Sequence, residues 1–113
     1  MRIRMVLGMA ILLLGTPRWV LAQGQTQIEA GQKTFADQKC AVCHSLAGQG
    51  NKNGPLDGIG SKLSADEIRQ WLTNAPEMAA KIKADRKPPM KDFSSLTKEE
   101  LDGLVAYLSS LKK

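Results

Sequence analysis

The segment that most constrains this chain is Cys40–His44, which reads CAVCH and holds both cysteines and the only histidine of its 113 residues. Two thiols stand three positions apart, and an imidazole follows the second thiol directly. A chain of this length forms one small domain with little stability to spare. Small exported domains often add a disulfide framework, a metal or another covalent staple. With one pair of cysteines, the staple of this chain is either a cross-chain disulfide or something else attached at this segment.

Four kinds of site compete for the segment. A redox dithiol of the thioredoxin kind usually follows a strand in an α/β sheet, and no strand is predicted before Cys40. Structural zinc takes four Cys or His ligands, whereas the chain offers two cysteines and one histidine. A disulfide closing so short a loop would add little stability. Covalent attachment of haem remains, because C-x-x-C-H is its recognised signature and the thiols can add to the two vinyl groups of the porphyrin.

Residues 1–22 have the layout of a signal peptide. Arg2 and Arg4 precede an apolar run, and Ala22 ends a segment with small residues at the positions that a signal peptidase reads. We predict cleavage after Ala22, which leaves residues 23–113 as a single domain exported to the periplasm. The alternative is an uncleaved membrane anchor, although the apolar run is shorter than the roughly 20 residues that span a bilayer. Cleavage removes three basic residues, so a nearly balanced chain with 4% aromatic residues is a poor candidate for binding nucleic acid.

The remaining sequence predicts an all-α domain with long ordered loops. A first helix within residues 26–40 places Ile28 and Phe35 on one face, and the stretch 46–60, rich in glycine, asparagine and proline, predicts a loop. Two capping boxes predict further helices, one over residues 65–74 and one beginning after Thr97 and ending with two lysines. Between them, we expect helix to be disfavoured at residue 75, before Pro76, and a short helix to form over residues 78–84.

An iron held by His44 needs further groups, and the chain supplies candidates for each. Met90 follows two prolines that stiffen its approach, and it is our predicted second axial ligand; Met78, or no methionine, are the alternatives. A ligating imidazole donates its other N–H to an acceptor, and the carbonyl of Pro55 is a candidate unless that proline only forms a turn. The porphyrin would also need apolar side chains around it, which would make it part of the core.

The chain resembles the class I, single-haem cytochrome c family of the bacterial type over nearly all of residues 26–113. The matching residues are Cys40, Cys43 and His44 for haem attachment and proximal ligation, Gly31 and Phe35 for G-x-x-x-F in the first helix, and Leu104 and Tyr107 for L-x-x-Y in the last helix. The resemblance implies a cytochrome c-like fold of three to five helices wrapped around one covalent haem c, with the N- and C-terminal helices crossing. It also implies that the Pro55 carbonyl accepts from the proximal histidine, that Trp71 contacts a haem propionate, and that Met90 is the distal ligand.

The resemblance implies a function in electron transfer and not an enzyme. With both axial positions filled, the protein would be a soluble periplasmic one-electron carrier between redox partners, such as those of a respiratory chain, and we expect a monomer. A basic rim near Met90 would steer an acidic partner, or else it is an ordinary solvated face; its members are Lys81, Lys83, Arg86, Lys87 and Lys91. The alternative function is a haem domain with an open or displaceable sixth position, acting as a sensor or as a subunit of a larger oxidoreductase. A domain docked to a membrane complex through an uncleaved first segment is a third possibility.

Overall fold

Within the residues that the structure describes, the first and last helices cross and form the frame of the fold. The computed structural model describes residues 18–113, with side-chain surroundings from residue 24 onward. Helix α1 (Arg18–Asp37) meets helix α5 (Lys98–Ser110) where Gly31 lies against the backbone of Gly103. A Cβ at residue 31 would collide with the Gly103 carbonyl and the Cβ of Tyr107, so glycine permits this close approach. Beside it, the rings of Phe35 and Tyr107 meet edge to face with centroids 5.7 Å apart.

Three short helices lie between these two. They are α2 (Ile59–Lys62), α3 (Ala65–Thr73) and α4 (Ala75–Lys81). Helix α3 packs on α5 through Ile68 and Leu72, which join a buried cluster with Phe93, Leu104, Val105 and Leu108. An ion pair between Arg69 and Asp102, 2.6 Å apart, links the same two helices at their partly exposed edge. The core therefore lies between α3 and α5, with the long segment after α4 closing one side through Phe93.

Both predicted capping boxes are confirmed. Ser64 and Glu67 bond each other's backbone N–H at the start of α3, and Thr97 and Glu100 do the same at the start of α5. Each box satisfies two amide donors that a helix N-terminus otherwise leaves without partners. The all-α prediction is likewise confirmed, apart from the two-residue strands described below.

Four predicted boundaries differ from the structure. The first helix ends at Asp37 and a separate 3₁₀ turn covers Cys40–Val42. The predicted loop 46–60 contains part of a hairpin, β1 (Ser45–Leu46) paired antiparallel with β2 (Gln49–Gly50), and the start of α2. Helix α4 begins at Ala75, earlier than predicted, because Pro76 falls in its first turn, where no amide donor is needed. The two C-terminal lysines lie beyond the end of α5; Lys112 donates to the carbonyl of Gly60 at 2.7 Å.

The predicted signal peptide lies mostly outside the described residues, which begin at residue 18. Its cleavage after Ala22 stays a prediction. Within the described part of the chain, none of the helices has the length and apolar character needed to cross a membrane.

Candidate functional site

The two cysteines lie on a single turn that follows α1. Lys39 adopts a left-handed conformation with φ of 56°, which ends the helical path and starts the 3₁₀ turn Cys40–Val42. The carbonyl of Cys40 accepts from the amides of both Cys43, at 3.1 Å, and His44, at 2.9 Å. Both cysteines are half-buried free thiols. The turn therefore holds two separate thiols and the imidazole on one short, internally bonded stretch of backbone.

His44 is oriented by a bond to the loop that follows it. Its Nδ1 lies 3.0 Å from the carbonyl oxygen of Gly54, which also accepts from the amide of Ser45 at 3.1 Å. Burial lowers the pKa of His44; the Gly54 hydrogen bond opposes this, and the positive charge of Arg86 adds to it. The ring is therefore favoured in its neutral form with the proton on Nδ1, which leaves Nε2 available as a metal ligand.

The predicted acceptor for His44 was the carbonyl of Pro55, and the structure corrects this to Gly54. Ser45 forms a parallel bridge with Pro55, bonding the Gly54 carbonyl through its N–H and the Leu56 amide through its carbonyl. Successive carbonyls of an extended strand point to opposite sides. The Gly54 carbonyl therefore faces His44, and that of Pro55 faces away. Pro55 itself is exposed.

Asn51 closes the loop over the cysteine turn, a role that the sequence reasoning missed. Its backbone amide lies 3.0 Å from the carbonyl of Ala41 and 3.1 Å from that of His44, and its side-chain amide donates to the carbonyl of Val42 at 3.2 Å. Gly50 makes this closure possible, since it has φ of 97° and a Cβ there would collide with the His44 carbonyl. An asparagine within a glycine-rich loop carries no signal that distinguishes this role from an ordinary turn.

The segment that carries Met90 is hydrogen-bonded to the attachment turn through Arg86, and a second basic residue, Lys91, influences a thiol of the turn through its charge. The guanidinium Nη2 of Arg86 donates to the carbonyl of Cys43, and the charge of Lys91 acts on the thiol of Cys40. Burial raises the pKa of that thiol, and Lys91 partly offsets the rise. Met90 lies between these two residues in sequence, is half-buried and packs against the hydrophobic core. Its role as iron ligand stays a prediction.

The other predicted site residues lie apart from these contacts. Trp71 is half-buried on α3, and Met78 is half-buried on α4. Phe93 fixes the chain just after Met90, because its amide donates to the carbonyl of Leu72 at 2.7 Å, and Lys91 lies over its ring at 5.0 Å from the centroid. The contact of Trp71 with a propionate stays a prediction.

These side chains fit a covalently attached haem. Two free thiols one turn apart suit the two vinyl groups, and His44 presents a neutral ring whose other nitrogen is already bonded. Partly buried apolar side chains around the core can contact a macrocycle; they are Phe35, Leu56, Ile59, Leu63, Met90, Leu96, Leu101, Tyr107 and Leu111. Structural zinc takes four ligands, and within residues 18–113 no three His, Cys, Asp or Glu side chains are grouped to hold a metal ion.

Comparison with known proteins agrees with this chemistry. Residues 28–112 match the family model described as Cytochrome c. The match includes the cysteine turn, the loop that bonds His44, the Met90 segment, the second half of α1 and all of α5. No curated protein and no solved structure gave a significant match.

Proposed function

Because this chain belongs to the cytochrome c family and is a haem-binding electron carrier, with haem c attached through Cys40 and Cys43, we propose that it is an exported one-electron shuttle whose iron is bound by His44 and Met90. When bound, the haem supplies an iron that gains or loses one electron. The thiols of Cys40 and Cys43 hold it covalently. His44 offers Nε2 as the proximal ligand, and the Gly54 carbonyl keeps the ring in the required tautomer and orientation.

Met90 is proposed as the distal ligand because its segment is tied to the attachment turn. Arg86, which lies four residues before Met90, donates to the carbonyl of Cys43. Phe93, which lies three residues after Met90, donates through its amide to the carbonyl of Leu72. A weak thioether ligand benefits from a chain that is already ordered, because little entropy is then lost on binding. If His44 and Met90 both bound the iron, no substrate would reach the metal, and a soft ligand in apolar surroundings would favour the reduced state. This anchoring of the Met90 segment is the observation that carries the proposal.

Carbon monoxide binding tests the ligation. The reduced parent protein should bind carbon monoxide slowly or not at all, because Met90 fills the sixth position. Met90→Ala should bind it rapidly and show a lower reduction potential, while the matched control Met78→Ala should behave as the parent does. Rapid binding by the parent would instead favour the alternative of an open or displaceable sixth position, as in a sensor or an oxidoreductase subunit. An unchanged spectrum and potential in Met90→Ala would exclude Met90 as the ligand.

Export and a soluble mature protein are the second part of the proposal. The mass of the protein purified from a periplasmic fraction should equal residues 23–113 plus one haem, with Gln23 as the first residue. A chain that retains its first segment and sediments with membranes would support permanent docking to a membrane complex instead.

A basic docking face is the third part of the proposal. The five basic residues of the rim, Lys81, Lys83, Arg86, Lys87 and Lys91, are all exposed. Lys81 lies 3.8 Å from Glu77, and Arg86 is bonded to the Cys43 carbonyl. Such a surface, which meets the haem attachment turn at Arg86, would attract an acidic redox partner, and the association rate would fall steeply as salt is added.

A further inference from the structure

Arg86 reaches back from the segment before Met90 onto the backbone beside the proximal histidine. Its Nη2 donates to the carbonyl of Cys43. Its Nη1 and Cζ lie so close to Gly54 that a Cβ at residue 54 would collide with them. The guanidinium therefore lies against the backbone of both Cys43 and Gly54. A Cβ at residue 54 would also collide with the Cys43 carbonyl, so glycine lets these two backbone segments approach each other.

The carbonyl of Cys43 and the backbone of Gly54 flank the imidazole of His44. Cys43 precedes His44 in the chain, and Gly54 accepts the hydrogen bond from its Nδ1. Lys87, the residue after Arg86, offers a contrast: it carries the same charge and is exposed, but it forms no hydrogen bond or ion pair with the described part of the chain.

We propose that Arg86 is a positioning residue that raises the reduction potential of the iron, by holding a positive charge behind the His44 ligand. The oxidised iron carries one more positive charge than the reduced iron, so a nearby cation destabilises the oxidised state more. Solvent screens an exposed cation, which makes the expected effect modest. This proposal rests on the proposed ligation by His44 and Met90.

Potentiometric titration of the purified haem-loaded variants tests it. Arg86→Gln removes the charge but keeps a hydrogen-bond donor. Arg86→Met keeps an unbranched apolar side chain but has neither the charge nor a donor. Both should shift the reduction equilibrium about threefold or more toward the oxidised form, a fall in potential of about 28 mV at 59 mV per tenfold for one electron. Arg86→Lys keeps the charge and should recover most of the parent's potential. Lys87→Gln, the matched control, removes one positive charge from the next position and should shift the potential less than half as much.

Each other outcome overturns the proposal. Equal shifts in Arg86→Gln and Lys87→Gln would show that the reduction potential responds only to the net charge of the surface and not to the position of Arg86. An Arg86→Lys protein as low in potential as Arg86→Gln would mean that the guanidinium hydrogen bond has only a structural role. If neither neutral variant yields holoprotein, Arg86→Lys decides: a potential well below that of the parent, despite the retained charge, would overturn the proposal. Failure of the proposed ligation is visible separately, because it appears as carbon monoxide binding by the parent, whatever the Arg86 variants do.

Discussion

At the scale of single residues, the site depends on glycines that let backbones approach closely. Gly54 lets its backbone approach the carbonyl of Cys43, and Gly50 lets the loop close over the carbonyl of His44. Gly50 also has φ of 97°, in the left-handed region that side chains rarely adopt. Composition alone predicts a loop here, and the structure shows that these positions bring its backbone against the groups that surround His44.

Gly50→Ala should destabilise the holoprotein more than Gly48→Ala. Both glycines have positive φ, so both variants carry the cost of about 1–2 kcal/mol for placing a side chain in that conformation. A Cβ at residue 48 meets nothing within 4 Å, whereas one at residue 50 collides with the His44 carbonyl and crowds Ala41. We therefore expect an additional loss of about 1–3 kcal/mol for Gly50→Ala, measured by chemical denaturation. Equal losses in the two variants would show that the loop does not press on His44 as described.

At the scale of elements, helices α3 and α5 are joined by packing and by one charged cluster. Asp102 on α5 accepts from Arg69 on α3 at 2.6 Å and from Lys98 on its own helix at 2.5 Å. Hydrogen bonds from Lys98 and then Arg69 hold the pKa of Asp102 below its usual value of 3.8. The folded chain therefore binds a proton at Asp102 less readily than the unfolded chain does.

This difference predicts how acid affects the α3–α5 contact. A depressed carboxyl pKa contributes stability that is complete above the unfolded pKa and is lost as the pH falls through the folded pKa. Asp102→Asn should thus be less stable than the parent at neutral pH, and the gap should shrink as the pH falls below about 4. Denaturation of both proteins between pH 6 and pH 3 measures it. The control Asp37→Asn removes an exposed pair with Lys33 within α1 alone and should change stability little. A gap that stays constant with pH would refute the role of the Asp102 carboxylate.

At the scale of the whole molecule, the sequence predicted features that depend on local chemistry and missed those that depend on pairing. Both capping boxes and the crossing of α1 with α5 were predictable, because their signals lie within a few residues or in a family motif. The acceptor for His44 was placed one residue too late, since a bridge between Ser45 and Pro55 decides which carbonyl faces the ring. The contact between Arg86 and Cys43 joins residues 43 positions apart, and no local pattern indicates it.

We expect the haem to complete the hydrophobic core of the folded protein. Among the described residues, the buried hydrophobic cluster has six members and is surrounded by a larger set of apolar side chains that remain partly exposed. These side chains bury less apolar surface than the side chains of a complete core do. A large apolar macrocycle packed among them should therefore supply much of the stability of the folded protein. The chain without haem, made either as Cys40→Ser/Cys43→Ser or as the parent sequence expressed without haem-attachment machinery, should have low helical content and no cooperative thermal transition by circular dichroism. Agreement between the two preparations would assign the loss to the missing haem and not to the serines. A sharp transition near that of the holoprotein, in either preparation, would show that the polypeptide forms a sufficient core by itself.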